Sequence, residues 1–250
     1  MSDHIVIERH GAVQTIRMNR PDKKNALTRA MYAAMTAALV EGDANPDIRT
    51  HVFLGVPGSF SSGNDLQDFM AFATSGTMGT EVVEFLIALT NSRKPVVAGV
   101  DGLAIGIGST LNFHCDLTFA TPQSLFKTPF VDLGLVPEAG SSLLGPALMG
   151  RQQAFAFLAM GAGLNAAEAK DAGLVYRIVE ADQLESTVLA VATEIAAKPP
   201  EAMQISRDLL RMPRAETVER IKLEAGHFAE RLQSEEARGA LMAFLTRKKG

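Results

Sequence analysis

Two short segments constrain this chain more than any others: Phe60-Ser61-Ser62-Gly63-Asn64-Asp65-Leu66 and Gly102-Leu103-Ala104-Ile105-Gly106-Ile107-Gly108. Each follows a strand-like run and leads into a helix-like one. Glycine and serine at such turns let backbone N–H groups approach a ligand without side-chain obstruction. If the fold brings the two turns together, two N–H groups can converge on one carbonyl oxygen, as in an oxyanion hole.

The elements around these turns follow from hydrophobic periodicity. Val13 to Met18 alternates as a half-buried strand does, and Ile5-Val6-Ile7 pairs with it across the His10-Gly11 turn. Thr28 is suited to cap a helix with Met31, Met35, Ala38 and Leu39 on one face. Asn45-Pro46-Asp47 ends that helix. His51 to Val56, Val96 to Val100 and Leu117 to Ala120 read as buried strands, with a helix around Val82 to Ala88 and a short one starting near Ile107. Strands alternating with helices predict an α/β fold with a mostly parallel sheet. Beyond about residue 181 the character changes. Leu184–Ala197, Glu201–Arg211, Glu216–Leu232 and Glu235–Thr246 all have helix-forming composition. The expected division is a core over 1–195 and a helical segment over 196–250. That segment is short for an independent core, so it packs on its own body or on a neighbouring subunit.

Charge and cysteine content exclude several roles. The formal net charge is −4 and no long basic run occurs, which argues against nucleic acid as a partner. Cys115 is the one cysteine, so no disulfide forms within the chain, as suits a reducing compartment. His114 precedes it, but neighbours on a strand point to opposite faces, which argues against a Cys–His nucleophile pair. There is neither a signal-peptide pattern nor an apolar run of roughly 18 residues, so no membrane association is expected and a cytoplasmic location is. The five histidines lack metal-ligand spacing, and no metal site is expected. The G-x-G-x-x-G fingerprint fails because Leu111 holds its third glycine position, and neither a P-loop nor a G-x-S-x-G elbow is present. Acid–base chemistry or binding alone remains.

Four segments, in order, resemble those of the enoyl-CoA hydratase/isomerase, or crotonase, superfamily. Asn19-Arg20-Pro21-Asp22-Lys23-Lys24-Asn25-Ala26-Leu27 is similar to its N-R-P-x-x-x-N-A-L turn, and Phe60 to Leu66 to its F-[SC]-[AS]-G-x-D-[LI] segment. Lys94 to Gly102 resembles its K-P-V-[IV]-A-x-[VI]-x-G strand, and Ala169 to Val175 its A-x-x-x-G-L-V element. The resemblance implies a spiral of ββα units with a C-terminal helical trimerisation region. It implies an acyl-CoA substrate, coenzyme A being part of that substrate and no further cofactor being needed. It implies a homotrimer or a dimer of trimers, and an oxyanion hole made by the Ser62 and Ile107 N–H groups. Substrate binding is carried onto Lys24 and Ala26, onto Ser61, Gly63, Asn64, Asp65 and Leu66, and onto Gly106, Thr110 and Phe130. Asp65 is expected to serve its turn by accepting local N–H groups. Lys23 or Lys24 is placed to meet CoA phosphates, and Arg247 and Lys248 to reach a neighbouring subunit's CoA.

Departures from the pattern narrow the reaction. Hydratases of the family use two glutamates, and Thr110 and Phe130 occupy those two positions here. Neither exchanges a proton near neutral pH; both are expected to line the acyl pocket. Glu138, among Val136, Pro137, Ala139 and Gly140, is the remaining nearby carboxylate besides Asp132, a rival base. Apolar surroundings raise a carboxyl pKa toward the range useful to a general base. The segment around Pro137-Glu138 resembles the peroxisomal type of 3-enoyl-CoA/2-enoyl-CoA isomerase most, though the C-terminus lacks a peroxisomal tripeptide. The expected activity is isomerisation of 3-enoyl-CoA to 2-enoyl-CoA in fatty acid oxidation. The alternatives are another enolate-based reaction of the hydratase or lyase kind, and a non-catalytic acyl-CoA-binding protein.

Overall fold

The computed structural model describes residues 2–65, 67–68 and 79–247, the last four as backbone only. Leu66, residues 69–78, the Arg247 side chain and Lys248 therefore lie outside the described residues. The chain opens with a hairpin, β1 (Ile5–His10) and β2 (Val13–Met18), paired antiparallel with Ile7 opposite Ile16. Helix α1 (Arg29–Ala44) follows, its N-terminus capped by Thr28, whose hydroxyl accepts the Met31 N–H at 3.3 Å. Met31, Met35, Ala38 and Leu39 are all buried on one face, as their spacing requires.

The next segments repeat one pattern. Strand β3 (Thr50–Leu54) is followed by short β4 (Ser59–Ser61), then helix α2 (Glu81–Asn91). Strand β5 (Val96–Val100) is followed by β6 (Leu103–Ile105), then α3 (Ile107–Thr110). Strand β7 (Leu117–Ala120) is followed by β8 (Leu125–Lys127), then α4 (Ser141–Met149) and α5 (Arg151–Leu158). Each turn of the chain thus adds one strand to each of two sheets, which is the expected spiral of ββα units. Strand β9 (Leu164–Asn165), helix α6 (Ala166–Asp171) and strand β10 (Arg177–Ile178) complete them. The larger sheet has the order β1-β2-β3-β5-β7-β10, parallel except for β1–β2. The smaller has the order β4-β6-β8-β9, with β4, β6 and β8 parallel.

Four helices end the chain: α7 (Leu184–Ala196), α8 (Pro200–Leu210), α9 (Arg214–Leu232) and α10 (Glu235–Arg247). Neighbouring residues of β3 face opposite ways, so Val52 packs with Leu184, Val188 and Ala192 of α7, while Phe53 packs into the main core with Phe85. The Phe53 and Phe85 rings meet edge to face at 6.2 Å. Burying one such ring contributes about 1.5–3 kcal/mol. Helix α9 returns to the core of its own chain, burying Ile221 and Phe228 there. Two local expectations are corrected. The third strand stops at Leu54 rather than Val56, because Val56 and Ser59 bond to each other and turn the chain. His114 and Cys115 are not strand neighbours: His114 ends a 3-10 helix over Leu111–His114 and Cys115 is its C-cap. No helix among the described residues is long and apolar enough to cross a membrane.

Candidate active site

Strands β4, β6 and β8 are parallel, so their C-terminal ends lie along one edge of the smaller sheet. Three turns leave that edge together: Ser62 to Asp65, Gly106 to Gly108, and Thr128 to Phe130. They open onto a cleft of about 640 Å³. The first two turns touch backbone to backbone. Gly63 has φ +94°, and a Cβ there would stand 3.1 Å from the Ile105 carbonyl oxygen. A Cβ on Gly108 would stand 2.7 Å from the Ser61 carbonyl oxygen. Glycine at both positions is therefore a steric requirement.

Hydrogen bonding shows which N–H groups remain for a ligand. The Ile107 N–H opens α3 and donates to no group among the described residues. Ser62 is different: its N–H donates to the Lys24 carbonyl at 2.9 Å. The next free group is the N–H of Asn64. Leu27 takes the parallel-bridge bonds on either side of it, donating to the Gly63 carbonyl at 2.8 Å and accepting from Asp65 N–H at 2.9 Å. The Ser62 N–H, expected as a donor, is thus taken within the chain, whereas the free Asn64 N–H belongs to a residue that lines the cleft with Ile107.

Beyond Asn64 and Phe228, which border both spaces, lies a small inner pocket of about 30 Å³. Val82, Val83, Leu86, Ile221 and Ala225 make it apolar, and Glu138 is the carboxylate on its wall. Glu138 is 6% exposed and accepts a hydrogen bond from the Thr110 hydroxyl at 2.7 Å. Burial pushes its carboxyl up to about 7; Glu224 nearby pushes the same way, and the Thr110 hydroxyl opposes both. Its loop is anchored on each side. The Ala139 carbonyl lies 2.7 Å from His114 Nε2, and burial lowers the His114 pKa to about 4, so a neutral ring donates this bond. Glu224 of α9 accepts the Gly140 and Ser142 N–H groups. The Tyr32 hydroxyl, kept protonated by burial and by the charge of Glu138, donates to the Asn64 side-chain oxygen.

The other expected residues divide between the cleft and its supports. Lys23, Lys24, Ala26, Gly63, Gly106 and Phe130 line the cleft. Asp65 also borders it, but Arg20 holds its carboxylate at 2.6 Å and the Gln67 N–H donates to it at 2.8 Å, so it builds the turn. Ser61 lies behind the turn, fully buried, its hydroxyl donating to the Asn25 carbonyl and accepting from Gly63 N–H. Thr110 supports Glu138 rather than lining the cleft. Asp132 is exposed beside Gly161, away from the cleft lining. Cys115 directs its thiol to the Leu111 carbonyl at 3.7 Å, and burial pushes its pKa up, so it is no nucleophile. Lys127, Tyr32 and Glu224 escaped the sequence reading, and His114 entered it only as a neighbour of Cys115. Only Glu224 gave a local signal, a carboxylate between Ile221 and Phe228 on the buried stripe of α9.

The chain is similar in sequence and fold to known proteins. The family profile described as Enoyl-CoA hydratase/isomerase matches residues 8–250. The chain is 36% identical to "Enoyl-CoA delta isomerase 2" of Rattus norvegicus over 99% of its length, spanning 64% of that relative. It is 29% identical to a "Probable enoyl-CoA hydratase" of Rhizobium meliloti, covering 98% of this chain and 96% of that one. The solved structure of Pseudomonas aeruginosa OdaA superposes with a TM-score of 0.92 at 38% identity, covering 97% of this chain and 99% of that chain. With the ββα spiral and the paired N–H turns already described, the match over nearly the whole chain means that this protein belongs to the enoyl-CoA hydratase/isomerase, or crotonase, family.

Proposed function

We propose that the protein moves the double bond of a 3-enoyl-CoA to the 2-position with Glu138 as its single base. The carrying observation is the placement of Glu138: a buried carboxylate with a pKa of about 7, on the wall of an apolar pocket that opens past Asn64. In this reading the thioester oxygen accepts from the Asn64 and Ile107 N–H groups. Glu138 takes a proton from C2, and the electron pair spreads into the thioester as a dienolate. Each preorganised donor is worth roughly 2.7–4 kcal/mol as negative charge develops on that oxygen. Protonated Glu138 then returns the proton at C4, leaving the double bond between C2 and C3. Atoms and electrons balance without water or a second carboxylate. Thr110 and Phe130 support the isomerase over a hydratase, since neither titrates near neutral pH.

CoA is placed along the cleft mouth, where Lys23, Lys24 and Lys127 offer positive charge for its phosphates. Assembly as a homotrimer or a dimer of trimers is supported by the exposed apolar side chains Ile205, Leu209 and Leu210 of α8. A cytoplasmic setting is favoured by the single free Cys115.

The test is conversion of 3-enoyl-CoA to 2-enoyl-CoA by wild type and by Glu138→Gln, beside a hydration assay. Isomerisation lost in the variant, with negligible hydration in either protein, supports the reading. A wild type that hydrates, or one that binds acyl-CoA without exchanging deuterium at C2, overturns it.

A further inference from the structure

Glu224 is a second buried carboxylate beside the inner pocket, 5% exposed. It sits on the buried stripe of α9 with Thr217, Ile221, Phe228 and Leu232. Desolvating a carboxylate there is unfavourable unless hydrogen bonds replace water. Two do. One oxygen accepts the Gly140 N–H at 2.5 Å and the other accepts the Ser142 N–H at 2.9 Å. Both donors belong to the start of α4, whose cap residue Gly140 has no side chain of its own to offer. Glu224 thus caps the helix from 84 residues away.

What precedes that cap is the base. Glu138 is followed by Ala139 at φ +65° and Gly140 at φ +70°. Two consecutive left-handed residues, one of them carrying a Cβ, are unfavourable without outside support. His114 holds the Ala139 carbonyl from one side, and Glu224 holds the next two free N–H groups from the other. Ile221, Ala225 and Phe228 of α9 also wall the inner pocket.

We propose that Glu224 is a positioning residue: by bridging the Gly140 and Ser142 N–H groups it fixes the strained turn that aims Glu138 into the pocket. The proposal rests on the reading of Glu138 as the base. The electrostatics agree with it. Glu138 is faced by the Thr110 hydroxyl from α3, by Tyr32 from α1 and by Glu224 from α9. Glu224 is faced by Ser142 and by Arg220, which also donates to the Ser142 hydroxyl at 3.0 Å. Among these, Glu224 is the charged neighbour that raises the Glu138 carboxyl.

The experiment compares wild type, Glu224→Gln and Glu224→Asp in the full chain, with folding checked by circular dichroism. In Glu224→Gln, kcat is expected to fall tenfold or more with KM within twofold, and the acidic limb of the kcat/KM profile to move to lower pH. In Glu224→Asp the charge remains but is withdrawn by one methylene, so kcat falls and the limb stays. A folded Gln variant with unchanged kcat and limb overturns the proposal. Should Gln fail to fold, an Asp variant with full kcat overturns it. If the wild type itself shows no isomerisation, the proposed reaction fails on its own. The clamp is then decided by carbon-13 titration of the Glu138 carboxyl, assigned by its loss in Glu138→Gln. A downward midpoint shift in Glu224→Gln supports the clamp, and an unchanged midpoint refutes it.

Discussion

Replacing Thr110 with valine keeps the shape of a fully buried side chain and deletes the 2.7 Å hydrogen bond to Glu138, together with a long 3.4 Å contact to the Gly106 carbonyl. That hydroxyl favours the ionised carboxylate, so its loss raises the Glu138 pKa above about 7. A hydrogen bond to a charged group is worth about 1.5–3 kcal/mol. At about 1.36 kcal/mol per unit, the midpoint moves up by about one to two units. At pH 7 the ionised fraction then drops from about a half to about 1–10%, and kcat/KM falls roughly 5–50-fold. The fall is reversible by pH. Isomerisation by Thr110→Val, followed by absorbance of the conjugated thioester between pH 6 and 9.5, is expected to approach the wild-type plateau at the alkaline end. A midpoint that stays put or moves down refutes the reasoning, as does a loss of equal size at every pH.

Three other outcomes follow from the same geometry. An amide-to-ester replacement that deletes the Asn64 N–H is expected to lower kcat by about 10²–10³-fold; deletion of the Ser62 N–H is expected to lower it far less, and the reverse order in single-turnover rates sinks the assignment. Glu138→Gln is expected to raise thermal stability at pH 8.5. The carboxyl titrates at about 7 when folded against 4.5 as its ordinary value, so its stabilising contribution is full below 4.5 and disappears as pH rises through about 7. The difference approaches about 3 kcal/mol above that window, and melting curves at pH 5 and 8.5 check that it shrinks on the acid side. Lys24→Ala combined with Lys127→Ala is expected to raise KM a few-fold with kcat unchanged and to flatten its salt dependence, since Lys24 is exposed and Lys127 half-buried, and such solvated charges contribute about 0–1 kcal/mol each; a kcat effect measured at saturating substrate places them elsewhere.

How much of this was legible in the sequence depends on how local each signal is. The hairpin, the Thr28 cap and the buried strands follow from periods of two and of about 3.6 residues. The small-residue start of a short helix at Gly106 to Gly108 was legible, and the free Ile107 N–H lies in it. The choice between Ser62 and Asn64 was not. It is made by Lys24 and Leu27, far away in sequence, which take the neighbouring N–H and carbonyl groups. Glu138 stood out as a carboxyl among apolar neighbours, and burial raises its pKa as that setting implies. The His114–Cys115 pair was judged by strand alternation where the chain forms a 3-10 turn. The two side chains still have separate partners, but for a different reason. Tyr32 and Glu224 acquire their partners only when α1 and α9 close over the spiral.

The distance between Glu138 and its clamp also sets a schedule. Gly140 and Glu224 are 84 residues apart. At about 5–20 residues per second, synthesis of that stretch takes roughly 4–17 s. Strands β1 to β8 are made before that interval and β9 and β10 within it, while the loop bearing Glu138 still lacks its cap and the inner pocket lacks a wall. A nascent chain thus has the scaffold before it has the reaction. Ribosome-bound chains stalled before α9 should fold as a spiral yet leave 3-enoyl-CoA untouched.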